Sequence, residues 1–144
     1  MKNMKHIHFI LVLATGIILS GQCSAQVAVV AGSKSAIGTM TKEQVASLYT
    51  GNSFVYPSGG TAVLLDQSDG TEARKQFYAK ITEKSPSQIK ATWSRLTFSG
   101  KATPPKELAS SADVKKEVSS NPSEIGYIEK SAVDSSVKVL FTTD

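Results

Sequence analysis

Apolar positions along this chain alternate between short β-branched runs and helical spacings. "VAVVA" (Val27 to Ala31) is a compact apolar run that predicts a buried strand leaving at Gly32-Ser33. In "MTKEQVASLYTG", Thr41 stands as a helix N-cap with Gln44 three residues on. Met40 is placed to pack on Val45, and Gly51 closes the segment. Val45, Leu48 and Tyr49 then form the buried face. "TAVLLD" predicts a second buried strand ending at Asp66.

Ala73, Phe77 and Ile81 recur at helical spacing just after "QSDGT". A fresh helix start follows in "SPSQ", with Ser85 as cap, Pro86 at the first helical position and Gln88 completing a capping box. Ile89, Trp93 and Leu96 continue that helix inward until Gly100, which makes Trp93 a core anchor. "GKATPPKELASS" reads as the longest irregular stretch, because paired prolines forbid a continuous helix. Its lysines, with Lys115 and Lys116 beyond, read as a solvated face. "SADVKKEVSSNP" predicts a short helix facing inward through Val114 and Val118 and ended by Asn121-Pro122. "EIGYIE" and "SSVKVLFT" close the chain as strands. Strands alternating with helices, without repeats or an interior linker, predict one α/β domain.

The first residues set the expected compartment. Lys2 and Lys5 precede an apolar run from Ile7 to Leu19, followed by Cys23-Ser24-Ala25. This is the pattern of a secretory signal over residues 1–25, cleaved near Ala25, with residues 26–144 as the exported domain; periplasm is the expected location. Bulky Gln22 before Cys23 argues against lipid attachment there. Cleavage would remove the one cysteine and both histidines, His6 and His8. It would also lower the formal charge from +4 to +2, which gives nucleic acid no footprint.

That inventory leaves little for catalysis. No activated nucleophile, metal cluster or cofactor motif is expected in residues 26–144, so a non-enzymatic role follows. Asp66 and Asp69 are a strand-end and a helix-start carboxylate. "QSDGT" (67–71) is the candidate binding element, since a strand feeding a glycine turn that opens a helix gathers unpaired N–H groups at the positive end of a helix dipole. Ser68 and Thr71 could add hydroxyl donors, and Gly70 permits close approach. The same residues equally predict an ordinary cap, with Asp69 and Glu72 forming a capping box.

Family resemblance adds weight to the first option. "MTKEQVASLYTG" resembles the "L-T-x-E-Q-hydrophobic-x-x-I/L-aromatic-x-G" pattern of periplasmic phosphate-binding proteins of ABC transporters, and "NPSEIGYIEKSAVDSSVKVL" resembles the same family's "N-P-G-A-I-G-Y-V" segment. "SPSQIKATWSRLTFSGKATPPKEL" is similar to a short, single-domain, phosphate-receptor-like subgroup. The resemblance implies a single lobe like half of a type II periplasmic binding protein, with a mixed sheet flanked by helices. It also implies phosphate or a similar oxyanion as ligand, linked to ABC-type uptake. The family loop Arg-Ser-Asp-Gly-Ser-Gly-Thr maps here onto Gln67, Ser68, Asp69 and Gly70, then resumes at Thr71. Gln67 therefore stands where the family has arginine, and Arg74 is the nearest substitute cation, within reach of Glu72 or solvent. With one lobe only, a permease, an envelope protein or a second copy in a homodimer would complete the site. The alternative is a periplasmic protein-interaction module that kept the fold and lost its ligand, docking through an open sheet edge or the "ATPPKE" loop.

Overall fold

The computed structural model describes residues 25–144; the expected signal over residues 1–25, apart from Ala25, lies outside the described residues, and its cleavage with it. Five strands, β1 (Val27–Gly32), β2 (Val63–Gln67), β3 (Lys106–Leu108), β4 (Glu124–Glu129) and β5 (Val137–Thr142), form one mixed sheet in the order β3-β2-β4-β1-β5. β2 runs parallel to β3 and β4, whereas β1 is antiparallel to both β4 and β5. The α-helices are α1 (Lys42–Tyr49), α2 (Glu72–Phe77), α3 (Pro86–Phe98) and α4 (Ser111–Ser120).

Strand alternation assigns the two faces. Val27, Val29 and Ala31 of β1, with Ile125 and Tyr127 of β4, point into a core closed by Val45, Leu48, Phe77, Ile89 and Trp93 from α1, α2 and α3. Ala28, Val30, Leu65 and Ile128 meet Val114 and Val118 of α4 on the other face. α4 lies so close that a Cβ on Gly126 would run into Val114, which accounts for glycine in a buried strand. Both faces of the central strands are thus covered, and the fold is α/β with a mixed sheet flanked by helices.

Local signals for α1 and α3 hold in detail. Thr41 N–H donates to Gln44 Oε1 at 2.9 Å while Gln44 N–H donates to Thr41 Oγ at 3.2 Å, and Ser85 and Gln88 repeat the arrangement at 2.9 and 3.2 Å. Two expectations change. The stretch read as irregular, "GKATPPKELASS", contains the parallel edge strand β3, three residues too short to show an alternation of its own. The cap of α2 is Thr71, whose Oγ accepts from Arg74 N–H at 3.3 Å, and not Asp69 in a box with Glu72. Gly70, at φ 88°, reverses the chain between them and leaves the Asp69 carboxylate outside capping range, beside Arg74 and Lys90. α2 then passes directly into a π-helical turn, Tyr78–Thr82, that ends at left-handed Glu83 (φ 57°). No described helix is long and apolar enough to cross a membrane.

Candidate functional site

β2 delivers the candidate loop to the edge of the sheet, and β3 pins it there. Ser68 donates both its N–H (2.8 Å) and its hydroxyl (3.2 Å) to Leu108 O, and Thr71 N–H returns to Ser68 O at 3.2 Å. Ser68 is therefore a structural tie as it stands. Thr71 accepts at its oxygen, which leaves the hydroxyl proton free to donate.

The cation sits one turn further on. Arg74 is 6% exposed, and its Nη1 donates to Gln67 O at 2.6 Å while lying 3.2 Å from Asp66 Oδ2 and 3.7 Å from Glu107 Oε2. Its Nε is 3.4 Å from Asp69 Oδ1 and, among the described residues, has no acceptor in hydrogen-bond geometry. Burial works against the guanidinium charge, but Asp66 and then the surrounding tyrosines and Asp69 hold it above its ordinary value. Pairing with Glu72 does not occur; Glu72 accepts instead from Gln76 at 2.6 Å.

Asp66 is the organising acid. It is 5% exposed and accepts from Tyr127 OH, from Tyr78 OH at 2.6 Å and from Gln67 N–H at 2.8 Å. Burial and this carboxylate push the Tyr78 phenol well above its ordinary value, and Tyr127 with it. Both phenols stay protonated and act as fixed donors. The Tyr127 ring stacks on Phe77 with centroids 3.9 Å apart, so the acid is oriented by packed groups.

Gln67 is not brought to the loop's open side. Its side chain, in a residue 1% exposed, donates to Tyr127 O at 2.9 Å and to Ser111 Oγ at 3.1 Å. A side chain two positions from Leu65 shares its face of the strand, the one covered by α4. Of the expected site residues Asp69 and Arg74 line a pocket of about 510 Å³, whose charged end they form with Asp66, Lys90 and Glu107, whereas Ser68, Gly70 and Thr71 stay outside its lining. Trp93 and Pro104-Pro105 line the rest of it together with α3. Trp93 is core as expected, 6% exposed and donating Nε1–H to Tyr49 O at 3.0 Å, yet its edge also faces this pocket. Lys90 and Glu107 carried no sequence signal, because ordinary exposed charges become site residues only through the approach of α3 and β3.

No protein-family model and no curated protein sequence matches the chain. Solved structures do. A protein from Clostridium perfringens assigned as a phosphate ABC transporter substrate-binding protein, with bound phosphate, matches 81% of this chain at 21% identity with a TM-score of 0.64. An ABC-type phosphate transport receptor from Vibrio cholerae matches the same share at 18% identity and 0.62, and PstS from Borrelia burgdorferi at 14% and 0.57. The chain has the fold of one lobe of a phosphate receptor. It spans 45%, 46% and 47% of those three chains, respectively. At these identities the likeness establishes the fold, and the single-lobe architecture expected from the sequence is the one found.

The site in this lobe is electrostatically mixed. Arg74 and Lys90 are set against Asp66, Asp69 and Glu107, so a fully ionised anion meets both attraction and repulsion. An anion that retains a proton can donate it to a carboxylate while accepting from Arg74 or Lys90. Among the described residues no group of His, Cys, Asp and Glu could hold a metal ion.

Proposed function

We propose that this chain is a non-catalytic solute-binding domain, exported by a signal removed near Ala25 and working in the periplasm. Its ligand is phosphate or a similar oxyanion, held by Arg74 and Asp69 with Lys90 at the rim and the Gly70-Thr71 turn beside it, and with Ser68 fixing the loop to β3. The observation that carries this is a guanidinium more than nine-tenths buried at the foot of a pocket beside the helix-opening loop, in the lobe of a phosphate-receptor fold. Carboxylates around that cation favour an oxyanion with a proton to give. Phosphate is therefore preferred over sulfate.

With one lobe, the bound anion keeps much of its hydration, and a few charge-assisted hydrogen bonds at high dielectric support a Kd on the order of millimolar. A permease of the ABC type, an envelope protein or a second copy of the chain would supply the facing wall and raise it. Calorimetric titration with phosphate, sulfate and acetate tests the reading. Binding of phosphate ahead of sulfate supports it. Silence with all three transfers the fold to the alternative role, a protein-interaction module without a ligand.

A further inference from the structure

The pocket is far larger than one tetrahedral anion. At about 510 Å³ it falls in the range of roughly 300–1,000 Å³ typical of sites for organic ligands. Its charge is also segregated. Lys90 lies 3.7 Å from Asp69 at the loop end of α3, whereas Phe98 lies eight residues along the same helix, roughly 12 Å away at 1.5 Å per residue. Between them the wall is Trp93, Ile89 and the Pro104-Pro105 pair, with Ser94 and Thr97 of α3 as its polar members.

Phe98 is 97% exposed, an unusual position for a large aromatic beside a pocket. A second, smaller cavity of about 260 Å³ shares Trp93, Pro104 and Pro105 with the first and is lined by Phe54 and Val63, 41% and 40% exposed. Inorganic phosphate would satisfy the charged end and leave this apolar length in water.

We infer that the site takes a phosphomonoester with an apolar, ring-sized body, its phosphoryl group at Arg74 and Lys90 and its body along Trp93, Pro104-Pro105 and Phe98. This rests on the oxyanion reading and extends it from the anion to the molecule that carries it. The two cations lie only at the loop end, with Asp66, Asp69 and Glu107 beside them, so the phosphoryl group is oriented there as the monoanion, accepting from a cation and donating its proton to a carboxylate. Trp93 is the only tryptophan of the chain, so its emission reports occupation of the wall directly.

The test titrates the protein with phenyl phosphate, inorganic phosphate and phenol, reading Trp93 fluorescence and heat together. Phenyl phosphate is expected to bind at least about tenfold more tightly than inorganic phosphate, as burial of a ring predicts, and to shift the tryptophan emission. Phe98→Ala should bring the ratio of the two affinities most of the way back to one, with an unchanged melting temperature showing that the fold is intact. Lys90→Ala should weaken phenyl phosphate severalfold. Equal affinity for phenyl phosphate and phosphate overturns this inference while leaving the oxyanion reading in place. Phenol binding as tightly as phenyl phosphate overturns both, because the anion would then contribute nothing. Phenyl phosphate binding with inorganic phosphate silent supports the inference and confines the oxyanion reading to esters.

Discussion

Arg74 and Asp66 form an ion pair at 3.2 Å in which each side chain is 7% exposed, and the carboxylate is further held by the Tyr78 and Tyr127 hydroxyls. Breaking one partner of a buried pair strands the other charge. Asp66→Asn is expected to cost about 3 to 5 kcal/mol in denaturant unfolding. Asp69→Asn, at a 60% exposed side chain, should cost less than about 1 kcal/mol. Similar losses for the two variants would show that Asp66 is not the organising acid.

The four tyrosines give a sharp alkaline signature. Burial pushes Tyr49, Tyr78 and Tyr127 well above the ordinary phenol value, and Tyr56 to about 12. A folded pKa above the unfolded one means that stability is fully present below about pH 10 and is lost as pH rises beyond it. Tyr49, Tyr78 and Tyr127 together predict a slope of about 4 kcal/mol per pH unit well above pH 10. Tyrosinate absorbance should therefore stay near zero in the folded protein and rise in one cooperative step with loss of the helical circular dichroism signal. Gradual titration near pH 10 without unfolding would contradict the buried assignments.

Replacing Gln67 by arginine, the residue of the resembling family's loop, is expected to fail as a restoration. The side-chain amide of Gln67 is spent on Tyr127 O and Ser111 Oγ on the face covered by α4, and both of these acceptors are uncharged. Burying an unpaired guanidinium there should destabilise the protein by about 3 kcal/mol or more, with no gain in phosphate affinity. A stable Gln67→Arg protein that binds phosphate more tightly would mean that position 67 reaches the loop after all.

Capping can be separated from ligand contact. Thr71→Ala removes the acceptor for Arg74 N–H and should lower stability by about 1 kcal/mol, while Asp69→Ala should leave the helix start intact. Thermal melts of the two variants decide it. The reverse ranking would restore Asp69 as the cap.

The sequence by itself carried every element whose signals are local. The Thr41–Gln44 and Ser85–Gln88 boxes, the helical spacing of Val45, Leu48 and Tyr49, and the β-branched run at Val27 act over a few residues, so their reading survives folding unchanged. Tertiary structure decided the rest. β3 exists only because Lys106–Leu108 finds β2 as a parallel neighbour, and three residues alone cannot specify a strand. Asp69 and Thr71 both offered a cap, and the choice fell to the residue that Gly70 leaves facing the helix axis, with Asp69 drawn to two cations from α2 and α3. Gln67 and Arg74 exchanged their expected places for a related reason. Strand alternation sends position 67 beneath α4, whereas one helical turn after Thr71 brings position 74 back over the end of β2 onto Asp66. Local chemistry thus set where each helix and most strands begin, and the packing of α3, α4 and β3 around β2 set which charges meet.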